Sequence, residues 1–173
     1  MGKRSSFIRK ERDFYPTPYE AITPLLPHLN LSTHSTFCEP CAGDGTLIDH
    51  LTKHKHLCKE AWDIEPKRFD IKKMDALRAR STEKIDYFIT NPPWDRKILH
   101  PLIDNLTNQY PTWLLFDSDW MHTKQSKEYM NRCHKIVSIG RLKWIPNSKM
   151  TGKDNCCWYL FNALPRDTVF YGR

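Results

Sequence analysis

Ile89-Thr90-Asn91-Pro92-Pro93-Trp94 decides the fold, because it joins the end of an apolar run to a turn that carries two prolines and an indole. Residues 84–90 include Ile85, Tyr87, Phe88 and Ile89 and read as a short buried strand, so the turn falls at the carboxyl edge of a sheet. Open α/β folds place their ligands there. Pro92 and Pro93 lack backbone donors and hold φ fixed. The side-chain oxygen of Asn91 and the carbonyl of Pro92 are therefore stiffly aimed acceptors with few local partners. An exocyclic amino group suits such a pair: its hydrogens bond the two oxygens while its nitrogen faces an electrophile, and Trp94 offers a flat face to the attached ring. The same residues also read as a plain proline turn with a core tryptophan, so the rest of the chain has to decide.

Upstream, residues 36–41 read as a strand running into the glycine turn Ala42-Gly43-Asp44-Gly45-Thr46, with a helix from Thr46 to about His56 whose inward face is Leu47, Ile48 and Leu51. Glycine lets backbone approach a ligand closely at a sheet edge. Glu39, Gly43 and Gly45 make an acid-x-x-x-Gly-x-Gly spacing. A dinucleotide fingerprint needs a third glycine where Ile48 stands, and a phosphate loop needs Gly-Lys-Ser or Gly-Lys-Thr. A second strand over 59–64 brings Asp63 to its end, about 20 residues beyond the glycine turn, where a carboxylate accepts from ribose hydroxyls. Met74-Asp75-Ala76 ends a third segment, and Asp75 suits an adenine amino group. Asp63, Asp75 and Asn91 thus follow the glycine turn at three successive strand ends.

Downstream, residues 97–106 predict a helix with Ile98, Leu99, Leu102, Ile103 and Leu106 inward. A strand over 111–116 brings Asp117-Ser118-Asp119-Trp120 beside the proposed site, a short helix closes at 128–133, and strands follow over 135–139 and 156–162. This alternation predicts a single α/β domain over 13–173, a Rossmann-like doubly wound mixed sheet. Residues 13–18 should lie extended, because Pro16 and Pro18 forbid regular structure while Phe14 and Tyr15 want cover; Pro24 and Pro27 break the helical pattern of 19–29. Trp113, Trp120, Trp144 and Trp158 read as packing residues, and His50 and His54 as solvated, with no third metal ligand nearby.

The chain has 173 residues, enough for one core, with 39% hydrophobic and 27% charged residues. No apolar run approaches a membrane span and the basic N-terminus lacks a signal-peptide core, so a cytoplasmic protein is expected. The six cysteines lack paired zinc spacing. Cys38-Glu39-Pro40-Cys41 has redox spacing but reads as reduced, packed thiols. A formal charge of +7 points to a polyanionic partner. Residues 1–12, with Arg4, Arg9 and Lys10, read as a flexible basic arm. The linker 141–155 mixes Arg141, Lys143, Lys149 and Lys153 with Trp144, Asn147 and Ser148, a composition that suits phosphate gripping and base contact.

Glu39-Pro40-Cys41-Ala42-Gly43-Asp44-Gly45, Asp63-Ile64-Glu65-Pro66, Asp75 and Asn91-Pro92-Pro93-Trp94 together resemble the class I S-adenosylmethionine-dependent methyltransferases that modify amino nitrogens. Within that class the chain most resembles the small phage and mobile-element DNA adenine methyltransferases, over roughly residues 13–164, and Phe14-Tyr15-Pro16-Thr17-Pro18 is similar to their N-terminal cofactor segment. The resemblance implies S-adenosylmethionine as cofactor, with Tyr15, Pro16 and Thr17 at its methionine end, Glu39 on its amino group and Pro40, Ala42, Gly43 and Gly45 passing close to it. Asp63 and Ile64 would hold the ribose side, and Asp75 and Ala76 the adenine. Asn91, Pro92, Pro93 and Trp94 would hold and stack the target adenine of DNA, with no metal and no cysteine nucleophile. A phage-encoded protein would work in the host cytoplasm. The family pattern often adds a separate target-recognition domain, for which this length leaves no room beyond the arm and the loop. A short site, an accessory protein or a homo-oligomer is implied. RNA or protein-glutamine methylation, or a catalytically silent protein of the same fold that binds DNA or a host protein, are the alternatives.

Overall fold

The computed structural model describes residues 14–29, 34–145 and 151–173. The arm with Arg4, Arg9 and Lys10, and Lys149 of the linker, lie outside the described residues. Eight strands form one sheet: β1 (Thr36–Glu39), β2 (Leu57–Asp63), β3 (Lys72–Lys73), β4 (Tyr87–Thr90), β5 (Thr112–Asp117), β6 (Cys133–Arg141), β7 (Asn155–Phe161) and β8 (Val169–Tyr171). Their spatial order is β3-β2-β1-β4-β5-β7-β6-β8. The strands from β3 to β5 pair in parallel, whereas β7 runs antiparallel to both β5 and β6. The order reverses between β1 and β4, which opens a crevice at their carboxyl ends, the position where such sheets bind ligands.

Period-two alternation sorts the core onto the sheet's two faces. Phe37, Ile89, Trp113, Leu115, Trp158 and Leu160 pack on one face, under the turns of 19–29 and helix α1 (Thr46–Lys53) with Leu47, Ile48 and Leu51. Phe88, Leu114, Phe116, Tyr159 and Phe161 pack on the other, under helix α2 (Arg96–Thr107) with Leu99, Leu102, Ile103 and Leu106. A further short helix, α3 (Lys127–Met130), adds Tyr129 to that second face. Trp113, Trp120 and Trp158 are buried as expected, and the Trp158 indole donates to the Ala21 carbonyl at 2.7 Å.

Three features of the fold have local causes that the sequence reading did not reach. Helix α1 stops at Lys53, short of His56, because Lys55 takes a positive φ of 65° and the His56 ring turns back to accept from the Ser35 N–H at 3.0 Å. The connection between β3 and β4 is a turn. There the buried Glu60 carboxylate accepts from the Ser81 hydroxyl at 2.5 Å and the Thr82 hydroxyl at 2.7 Å, while Asn105 Nδ2 on α2 donates to the Ala76 and Ala79 carbonyls at 2.8 and 3.1 Å. Strand β8 was not foreseen; it is short and exposed, pairs with β6, and packs the Tyr171 ring on His28 at 4.3 Å. No described helix is long and apolar enough to cross a membrane.

Candidate active site

The carboxyl ends of β1, β2 and β4, together with the extended segment 14–17, enclose a cleft of about 730 Å³. It is built first from the glycine turn. Gly43 sits at φ 53°, its N–H donates to Asp63 Oδ2 at 2.7 Å, and a Cβ there would stand 2.8 Å from the Phe14 ring. Gly45, at φ 78°, caps α1 and points the other way: a Cβ there would collide with the Arg68 guanidinium, which also binds Asp49 at 2.8 Å and Asp70 at 2.7 Å. The first glycine therefore serves the cleft and the second serves an ion-pair network behind it.

The cleft wall is acidic. Asp63 accepts from Gly43 N–H and, through Oδ1, from Glu65 N–H at 2.7 Å, which fixes the carboxylate while leaving each oxygen capacity for one more donor. Asp75 Oδ1 accepts from Leu77 N–H at 3.0 Å in the same manner. Glu39, at the end of β1, is 2% exposed, and its Oε2 has no hydrogen-bond partner among the described residues. Burial pushes the Glu39 carboxyl well above the usual range, and the nearby charges of Asp44 and Asp63 push it further. A carboxyl so buried, with one unpartnered oxygen, is costly to ionise, so it holds a proton unless a cation compensates it. Pro40, Ala42, Ile64 and Ala76 complete this wall, and Ile64 leaves an apolar side chain 54% exposed.

The proline turn follows the end of β4. Asn91 and Pro93 line the cleft, whereas Pro92 is buried beside it and Trp94 packs against both core clusters. Asn91 Nδ2 donates to the Tyr15 carbonyl at 3.1 Å, so the amide's orientation is set and Oδ1 is left as the acceptor. Tyr15, Pro16 and Thr17 form the third side. Asp95 also lines the cleft, and its side chain caps α2 by accepting from Lys97 N–H at 2.9 Å.

Of the expected site residues, Tyr15, Pro16, Thr17, Glu39, Pro40, Ala42, Gly43, Asp63, Ile64, Asp75, Ala76, Asn91 and Pro93 share this cleft, while Gly45, Pro92 and Trp94 stand just outside its lining. Arg141, Lys143 and Lys153 are exposed on the stems of the β6–β7 linker. Residues without a predicted role also line the cleft. Glu65 and Lys67 form an ion pair at 2.6 Å, and Lys67 N–H reaches the Gly43 carbonyl at 2.9 Å, which folds their loop over the glycine turn. Only their nearness to Asp63 in sequence could have pointed to them. Leu77, Ile98 and Leu102 gave no signal beyond their apolar character. His50 and His54, expected in solvent, are half-buried because Tyr19 packs edge-on against the first and hydrogen-bonds the second at 2.9 Å. Burial pushes the Cys38 and Cys41 thiols above their ordinary range, so the Cys-Glu-Pro-Cys run makes poor thiolates.

No family profile and no curated protein matches this sequence. Solved structures do. A putative RNA methyltransferase from Pyrococcus horikoshii is similar at TM-score 0.57 and 17% identity, covering 88% of each chain. A putative class I S-adenosylmethionine-dependent methyltransferase from Listeria monocytogenes reaches TM-score 0.64 at 10% identity, over 96% of this chain and 68% of that one. The M protein of the type I restriction enzyme EcoKI matches at TM-score 0.55 and 13% identity, over 90% of this chain and 47% of its own. The chain has the class I methyltransferase fold, a Rossmann-like mixed sheet in one domain.

Proposed function

We propose that this protein transfers a methyl group from S-adenosylmethionine to the exocyclic amino nitrogen of adenine in DNA. The observation that carries the reading is the Asn91 amide, anchored through Nδ2 to the Tyr15 carbonyl in a cleft also lined by Glu39, Asp63 and Asp75, which leaves Oδ1 as its acceptor. The cleft residues fit the cofactor. The unpartnered Oε2 of Glu39 suits its ammonium group, Asp63 its ribose hydroxyls, Asp75 its adenine amino group, and the exposed Ile64 side chain the face of its adenine. When bound, S-adenosylmethionine supplies a methyl group made electrophilic by its sulfonium.

The protein's part is alignment and electrostatics. Asn91 Oδ1 and the Pro92 carbonyl accept the hydrogens of the target amine and stabilise the positive charge that grows on nitrogen during transfer. Pro92 and Pro93 keep those acceptors from rearranging, so little reorganisation is required at the moment of reaction. Trp94 stacks the target base, which has left its duplex partner or was never paired. Arg141, Lys143 and Lys153 hold the phosphates, joined by Arg4, Arg9, Lys10 and Lys149. Nucleic-acid methyltransferases among the fold neighbours support a nucleic-acid substrate, and the likeness of the motif set to the phage adenine group favours DNA and adenine. An accessory protein or a second copy would extend recognition beyond a short site.

Offering isotopically labelled S-adenosylmethionine to DNA, RNA and protein in parallel tests the reading, with the nucleosides then separated. Label on N6-methyladenine from DNA is the expected result. Label only in RNA or protein would move the substrate assignment, and label in none would remove the enzyme reading.

A further inference from the structure

The segment that walls the cleft is tied twice to the turn that would hold the target. One tie is the hydrogen bond from Asn91 Nδ2 to the Tyr15 carbonyl. An aspartate at 91 would have no donor for that carbonyl, which gives this chain a reason to carry the amide. The second tie is aromatic. The Trp144 ring meets Tyr15 edge-on at 6.4 Å and Trp94 edge-on at 5.7 Å, bridging the cofactor segment and the proposed base platform. Its station is fixed from behind. Leu142 is buried in the core, its carbonyl accepts from Gly152 N–H at 2.7 Å, and a Cβ on Gly152 would lie 3.0 Å from the Trp144 indole, so the returning stem of the linker presses on the ring. Trp113 and Trp158 are fully buried, whereas Trp144 is half-buried and packs at the edge of the first core cluster, against Tyr15 and Trp94.

We infer that Trp144 is a positioning residue that locks segment 14–17 to the Asn91–Trp94 turn, so that filling the cleft and seating the target base reinforce each other. A ligand packed against Tyr15 and Thr17 holds the Tyr15 carbonyl in place, and through it the Asn91 amide; the indole transmits the same constraint to Trp94. Coupling of this kind is reciprocal, so a seated base also tightens the cofactor side. The inference rests on the proposed function for the identity of both ligands.

The test is the affinity of a fluorescent adenine-containing single-stranded oligonucleotide, measured with and without saturating S-adenosylhomocysteine. In the wild type the cofactor product should tighten the oligonucleotide by about fivefold or more. Trp144→Ala should bring that factor close to unity while S-adenosylhomocysteine alone binds within about threefold of wild type, and Trp144→Phe should restore most of the coupling. An undiminished factor in Trp144→Ala overturns the inference. Failure of S-adenosylhomocysteine to bind the wild type would instead defeat the proposed function. Hydrogen exchange of the ligand-free proteins then decides the inference: joint acceleration at Tyr15, Thr17, Asn91 and Trp94 in Trp144→Ala sustains the lock, and acceleration confined to the linker removes it.

Discussion

On the β1–β2 side of the cleft the polar groups are carboxylates held by neighbouring backbone: Gly43 and Glu65 N–H groups fix Asp63, and Leu77 N–H fixes Asp75. On the β4 side they are neutral acceptors and rings, held by partners distant in sequence, Tyr15 for Asn91 and Trp144 for Trp94. The first side holds the buried Glu39, whose ionisation is costly unless a cation relieves it; the second depends on geometry. Substitutions should therefore separate the two sides, with binding lost on one and turnover on the other.

The largest effect is expected at the geometric side. Asn91→Ala should lower methyl transfer by about a hundredfold or more, the usual consequence of removing one preorganised group that stabilises transition-state charge, while cofactor binding changes little. A steady-state assay alongside calorimetry reads both quantities, and near-normal turnover would return the proline turn to a structural role. Next comes Glu39→Gln. It should weaken S-adenosylmethionine about ten- to a hundredfold through loss of a charge-assisted bond, yet raise the melting temperature of the ligand-free protein. The sign follows from the raised pKa. Such a carboxyl favours the folded state while protonated and loses that contribution as pH rises through its folded value, and glutamine has no charge to desolvate. A lower melting temperature at neutral pH would contradict the account of Glu39.

Gly43→Ala should cost about 1–2 kcal/mol in denaturant unfolding, because φ 53° disfavours an L side chain. Displacement of the crowded Phe14 ring adds to this. Cofactor affinity should fall with it, since the Gly43 turn orients Asp63. The smallest change is expected outside the cleft. Arg141→Ala and Lys143→Ala should each lower the slope of log affinity against log salt for DNA by about 1, and unchanged slopes would leave both residues merely solvated.

The acidic side was legible because its parts are local in sequence: a strand, a glycine turn and an acid at each strand end. The same locality made β1, β2, β4, β5 and β7 readable, since alternating or continuous apolar runs mark buried strands. The β4 side was legible only in its turn. Nothing in the linker's composition distinguished Trp144, facing Trp94 and Tyr15, from the core residue Trp158. The surroundings of Gly45 were hidden for a similar reason, because the Arg68 guanidinium that covers it comes from beyond β2. The turn between β3 and β4 was not legible either. It depends on Glu60, which reads as an ordinary strand acid until Ser81 and Thr82 fold onto it.

Proton release on binding tests most directly whether the acidic wall is a cation site. Near the raised pKa of Glu39 the empty cleft retains a proton, and an ammonium group entering beside the carboxylate expels it. Calorimetric titration of S-adenosylmethionine in buffers of different ionisation enthalpy should show proton release by the wild type, affinity rising with pH through that range, and no such release by Glu39→Gln. Binding without proton release in the wild type, or equal release by both proteins, would contradict the assignment of Glu39.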